Sequence, residues 1–62
     1  MRIVITRSWS IYRIDEKRKR IRCKKHGLDR HYAALHVTSD NHLKIVFSEN
    51  KWMQTREILF KF

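Results

Sequence analysis

The chain has 62 residues, which make one small domain (1–62), and its 15 basic and six acidic residues give a net charge of +9. Cys23 is the only cysteine, so no internal disulfide can form, and we expect a reducing compartment rather than secretion. No apolar run exceeds three residues, which excludes a typical transmembrane helix or signal-peptide core. We therefore expect a soluble cytoplasmic (intracellular) protein without a membrane partner.

The first segment, RIVITRSWSIYRI, is rich in β-branched and aromatic residues and predicts extended structure. Its apolar alternation changes parity between Arg7 and Ser10. This change indicates a bend or bulge in one long strand, or two strands that meet near Ser8.

The next stretch, YRIDEKRKRIRC, predicts a β-hairpin with a four-residue loop at 16–19. Three pairs then oppose each other: Asp15 and Arg20, Ile14 and Ile21, Tyr12 and Cys23. One face of this hairpin is apolar, and the other carries Arg13, Arg20, Arg22 and Lys24. A shift of one residue would mix the two faces, so the pattern itself favours this register.

The segment GLDRHYAALHV is ambiguous. Asp29 can cap a short helix over 29–36, which we favour, while strand alternation competes almost equally. HLKIVFS and WMQTREILFKF both predict strands. The expected fold is mainly β: a small antiparallel sheet or open barrel of four to five strands with at most one short helix, the alternative being α+β.

Five large aromatic residues are expected to lie mostly in the core: Trp9, Phe47, Trp52, Phe60 and Phe62. A single sheet can bury only one face, so it must curl into a barrel or be covered by a second chain. The terminal strand 57–62 predicts an unpaired edge, through which a homodimer could form.

The positive charge is concentrated. Residues 17–25 hold seven basic residues and no acidic one, so eight basic and six acidic residues remain elsewhere, a net +2. On one face of a strand, alternate side chains stand about 6.6 Å apart, comparable with successive phosphates of an extended single strand. The predicted nucleic-acid or acidic-partner site comprises Arg13, Lys17, Arg18, Lys19, Arg20, Arg22, Lys24 and Lys25.

This site predicts a small module that binds DNA or RNA without catalysis. Five phosphate contacts would give a salt slope of about −4 to −5 on duplex DNA. Four aromatic residues are candidates for stacking on unpaired bases: Trp9, Tyr12, Tyr32 and Trp52. The competing hypothesis is a phage- or mobile-element-type inhibitor or regulator that binds an acidic host protein. A merely solvated face and a short nuclear-import signal (KRKR) are further alternatives.

Two chemical hypotheses remain open. Cys23, His26, His31 and His36 are zinc ligand types, but their spacing is not that of a familiar zinc site, and we predict no metal and no cofactor. In the other, His26, His31 and Tyr32 act as acid and base in a metal-free ribonuclease, with Lys24, Lys25 or Arg30 stabilising phosphate charge.

The stretch YRIDEKRKRIRCKKHGLDRHY resembles the late strand-turn-strand of small toxin endoribonucleases from bacterial toxin–antitoxin pairs. The resemblance covers about 21 residues. That family places basic and histidine residues on such strands, which implies a ribonuclease as the third function. The long helices that precede the sheet in that family have no counterpart in the eleven residues upstream. No active-site residue is therefore carried over.

Overall fold

The computed structural model describes residues 1–62 and contains only β-strands and turns. No helix with the length and apolar character needed to cross a membrane is present. The seven strands are β1 (Arg2–Thr6), β2 (Ile11–Asp15), β3 (Arg20–Cys23), β4 (Leu28–His31), β5 (Ala34–Val37), β6 (His42–Ser48) and β7 (Lys51–Lys61). The mainly-β prediction is confirmed, but there are seven strands rather than four to five.

The strands form one antiparallel sheet in the order β4-β3-β2-β1-β7-β6-β5. Its two edges, β4 and β5, are consecutive in sequence and joined only by Tyr32 and Ala33. The Tyr32 amide donates to the carbonyl of Lys19 (2.8 Å), and the Ala33 amide donates to that of Val46 (2.7 Å). Two adjacent residues therefore bond to opposite halves of the sheet, which curls it into a half-barrel.

The concave side of the half-barrel holds the core. Its nine buried apolar residues are Val4, Tyr12, Ile14, Ile21, Cys23, Tyr32, Leu43, Ile45 and Ile58. Near the corner, the Arg30 guanidinium lies 4.1 Å from the centroid of the Phe47 ring, so a cation–π contact links β4 to β6. The curled sheet covers its own apolar face, as the barrel prediction requires.

The predicted register of the basic hairpin is confirmed. Asp15 pairs with Arg20, Ile14 pairs with Ile21, and these pairs enclose the loop 16–19. The four side chains expected on its apolar face are at most 2% exposed: Tyr12, Ile14, Ile21 and Cys23. The opposite face is basic, as predicted.

The predicted helix over 29–36 is wrong. Residues 28–31 form β4 and residues 34–37 form β5. Asp29 does not cap a helix but pairs with Arg22 in the ladder between β3 and β4. The weak local helix preference is outweighed by backbone hydrogen bonds to β3 and β6, which depend on distant parts of the chain.

The predicted edge strand at 57–62 is also wrong, because β7 lies between β1 and β6. The two edge strands of the sheet are β4 and β5, while β6 pairs with residues 51–57 of β7 and β1 pairs with residues 58–61.

The parity change between Arg7 and Ser10 marks a complete reversal of the chain. β1 and β2 pair antiparallel across it, with Ile5 opposite Ile11. Trp9 adopts a φ of 61°, and Lys19, Gly27 and Asn41 also have positive φ. Each lies in a turn between two paired strands, where a left-handed residue completes the reversal. Gly27 suits this conformation, whereas the bulky Trp9 is an unusual occupant.

Candidate functional site

The side of β1, β2, β3 and residues 58–62 that faces away from the core, here called the outer face, has no covering layer. One row of cross-strand neighbours runs from Asp29 through Arg22 and Arg13 to Ile3. Two backbone hydrogen bonds between Ile3 and Phe62, of 3.2 and 2.8 Å, continue this row onto the end of the chain. A second row joins Ile11, Ile5 and Phe60. Basic and apolar side chains therefore adjoin on one continuous surface.

Most of the predicted basic residues lie on or beside this surface. Arg13 and Arg22 are exposed cross-strand partners. Lys17, Arg18 and Lys19 occupy the β2–β3 turn, and Lys24 follows β3. Lys25 is separated from them, because its ammonium donates to the backbone carbonyl of Ser8 in the β1–β2 turn.

Arg20 points to the same face but is already paired. Its Nε and Nη2 donate to the two carboxylate oxygens of Asp29 at 2.7 and 2.9 Å. The hydrogen bond from Arg20 is the main reason that the pKa of the Asp29 carboxyl lies below its usual value, and the charges of Arg20 and Arg22 add to the effect. Arg20 therefore stiffens the surface, while Arg13, Arg18, Arg22 and Lys24 form no ion pair with a carboxylate.

Two depressions on the outer face share Arg13 and Arg22. The larger, of about 560 Å³, runs along β2, β3 and the start of β4, and Ile11 and Lys24 also line it. The smaller, of about 130 Å³, lies nearer the β2–β3 turn. Its lining residues are Met1, Arg13, Asp15, Arg18, Arg20 and Arg22.

Two aromatic residues of this face were predicted to be core. Phe60 is 50% exposed and Phe62 is 72% exposed, and their rings stack with centroids 6.4 Å apart and planes 20° apart. The cause is a register shift between β1 and β7: Ile5 pairs with Phe60, but Thr6 pairs with Ile58, so Leu59 is an extra residue. This bulge reverses the alternation, and the two phenylalanines point outward while Ile58 stays buried.

The core prediction also fails for Trp9 and Trp52, which are 67% and 57% exposed, whereas Phe47 is partly buried against the core. Trp52 lies on the distant part of the sheet, where the Lys44 ammonium is 4.7 Å from its ring centroid. Of the aromatic residues expected to stack on bases, Tyr12 and Tyr32 are buried. Phe60 and Phe62 are thus the functional candidates that the sequence analysis missed. The sequence around Leu59 has no feature that predicts the bulge.

The largest cavity, of about 720 Å³, is instead the mouth of the half-barrel, lined by Ser8, Tyr12, His26, Leu28, His42, Met53, Gln54, Thr55 and Arg56. Several of its polar groups bond to each other or to the backbone. Ser10 Oγ lies 2.8 Å from His26 Nε2 and 2.9 Å from Ser8 Oγ, and His42 Nδ1 lies 2.8 Å from the Thr55 carbonyl. The Ser10–His26 contact holds the β1–β2 turn against the β3–β4 turn, and the His42–Thr55 contact joins β6 to β7, so both have a structural role.

The residues of the chemical hypotheses are not assembled. No group of three or more His, Cys, Asp or Glu side chains is placed to hold a metal ion, and Cys23 is buried in the core. His26 precedes β4 and His31 ends it, so they lie at opposite ends of an extended strand. Burial raises the pKa of the Tyr32 phenol, which disfavours its use as a base.

The outer face is the best-supported site, because four cations without an ion pair line its two depressions and two stacked aromatic rings are exposed on it. No protein-family model, curated protein or solved structure matches this chain.

Proposed function

We propose that the chain is a small basic module that binds single-stranded nucleic acid, DNA or RNA, on its outer face and without catalysis. The observation that carries this proposal is one row of cross-strand neighbours that runs from unpaired Arg22 and Arg13 through Ile3 to exposed Phe62. Cations and accessible rings on an uncovered sheet surface suit a ligand that has both phosphates and unpaired bases.

The phosphates would be held by the unpaired cations. Four of them line the two depressions of the outer face: Arg13, Arg18, Arg22 and Lys24. Each phosphate contact to a single strand contributes about −0.7 to the salt slope, so four contacts give about −2.8. Affinity should then fall about 50-fold when monovalent salt rises from about 50 to about 200 mM.

The bases would stack on Phe60 and Phe62. Phe60 belongs to β7 and Phe62 directly follows the strand, and both rings stand on a face that nothing covers. Bases in a duplex are already stacked on each other, so rings of this kind favour single strands. The apolar neighbours Ile5 and Ile11 widen the platform without adding any hydrogen-bonding group. We therefore propose recognition of the strand with little preference for base sequence.

The direct test is fluorescence anisotropy with labelled single-stranded DNA, single-stranded RNA and a duplex at two salt concentrations. We expect the R13E/R22E variant to lose binding. The matched control is K51E/R56E, which also lowers the net charge from +9 to +5 but alters exposed residues outside the outer face. No binding at low salt, or equal affinity of R13E/R22E and the parent, would overturn the proposal.

The same surface could serve the competing class, an acidic protein, because Ile11 and Phe60 would also suit an apolar contact. A pull-down with and without nuclease separates the two. A protein partner would replace the nucleic acid in this proposal if three results coincide. A protein is captured even after nuclease treatment, the R20E/R22E variant no longer captures it, and no oligonucleotide binds. A cytoplasmic location is part of the proposal, since the buried thiol of Cys23 needs no oxidising compartment.

A further inference from the structure

The smaller depression on the outer face is an arginine pocket, formed by Arg13, Arg18, Arg20 and Arg22 together with Asp15 and Met1. Arg13 and Arg22 are cross-strand partners, Arg20 lies two residues before Arg22 on the same strand, and Arg18 approaches from the turn. The β2–β3 hairpin therefore brings together four guanidinium groups that the sequence spreads over ten residues.

The charges of this arginine pocket are not balanced within the protein. Four arginines and one aspartate line it, which leaves +3, and the Asp29 carboxylate bound to Arg20 lowers the sum to +2. Asp15 also accepts a hydrogen bond from the backbone amide of Arg18 at 3.3 Å. Repulsion between Arg13, Arg18 and Arg22 opposes this arrangement, and a multiply charged anion would relieve it.

The charge of the arginine pocket favours a terminal phosphate over an internal one. Its volume of about 130 Å³ is sufficient for one phosphate group. A phosphate monoester carries about −1.5 to −2 charges at neutral pH, against −1 for a diester.

We infer that the arginine pocket binds the terminal phosphate monoester of a single-stranded nucleic acid whose first bases lie on Phe62 and Phe60. This inference rests on the proposed function and specifies its ligand. Arg13 and Phe62 are two strand spacings apart through Ile3, about 10 Å, which one or two nucleotides can bridge. The protein then recognises the end of a strand.

The test compares the affinities of one oligonucleotide with a 5′-phosphate, a 3′-phosphate or no terminal phosphate at fixed salt. A fourth oligonucleotide, one nucleotide longer and unphosphorylated, controls for the added charge because it gains a diester instead. We expect a terminal phosphate at one of the two ends to tighten binding at least tenfold, and the longer control to gain much less.

The variant pair for this test is R18Q and K17Q. Both remove one charge from the same exposed turn, but only Arg18 lines the arginine pocket. R18Q should abolish most of the phosphate advantage, and K17Q should retain it.

The outcomes separate the two proposals. Equal affinity of all four oligonucleotides, with binding intact, would overturn the terminal-phosphate inference and leave the proposed function standing. The inference would also be overturned if K17Q and R18Q lost the tighter binding of the phosphorylated oligonucleotide to the same extent. No binding of any oligonucleotide would remove both, and binding of a phosphoserine peptide instead would assign the pocket to a phosphoprotein.

Discussion

Replacement of Phe62 by leucine tests whether the exposed ring acts through base stacking or only through its apolar area. The ring is 72% exposed, and Phe62 is anchored by backbone hydrogen bonds to Ile3 that do not involve the side chain. The free energy of unfolding should therefore change by less than about 0.5 kcal/mol. Leucine keeps most of the apolar surface but has no aromatic face.

Loss of one base–aromatic stack costs about 1–3 kcal/mol, which corresponds to a loss of affinity of about 5- to 160-fold. Phe62→Leu should fall in this range for single-stranded oligonucleotides in anisotropy titrations, and Phe62→Tyr, which restores a ring, should bind like the parent. Trp52→Leu is the control, since Trp52 is 57% exposed but lies on the distant part of the sheet. If Phe62→Leu binds as tightly as the parent while folded, stacking on Phe62 is refuted.

Three further predictions concern stability and charge. Ile21 is fully buried, so Ile21→Val should cost about 0.5–1.5 kcal/mol in urea unfolding, while Ile11→Val, at a half-exposed position, should change little. Burial, aided by Cys23 and opposed by a Ser10 hydrogen bond, raises the pKa of the Tyr12 phenol above 10.0. The protonated phenol therefore contributes to the free energy of unfolding. This contribution is full below pH 10.0, the pKa of the unfolded state, and is lost as the pH rises through the higher pKa of the folded state. The urea midpoint should therefore fall less at alkaline pH in Tyr12→Phe than in the parent. Asp29→Asn frees Arg20 and should steepen the salt slope by about −0.7, whereas Asp40→Asn, with the same charge change, should not; equal slopes would show that Arg20 stays unavailable.

The basic hairpin could be predicted because its information is local. Ile14 and Ile21 alternate with charged residues on both sides of a short loop, and a slip of one residue would bury a charge and expose the core. The same alternation placed Arg13 and Arg22 together on the exposed side. For this part of the chain, sequence spacing was sufficient to predict the strand pairing and the exposed face of Arg13 and Arg22.

The segment 28–37 could not be predicted in this way. Whether Asp29 caps a helix or pairs in a ladder depends on β3, and whether Ala34 begins a strand depends on β6, some ten residues further on. Tyr32 and Ala33 form the corner only because both halves of the curled sheet are present. Local propensity takes no account of these distant partners, so it favoured a helix where the complete fold forms two strands.

The bulge at Leu59 has the largest consequence for function. With regular pairing, Ile58, Phe60 and Phe62 would share the inner face, and Leu59 and Lys61 would point outward instead. The extra residue opposite Thr6 keeps Ile58 in the core, at 4% exposure, and turns both phenylalanines outward. A protein that only needed a core would gain from burying these rings, since each is worth about 1.5–3 kcal/mol when fully buried. Their exposure beside Arg13 and Arg22 is therefore the strongest physical reason to regard the outer face as a binding surface.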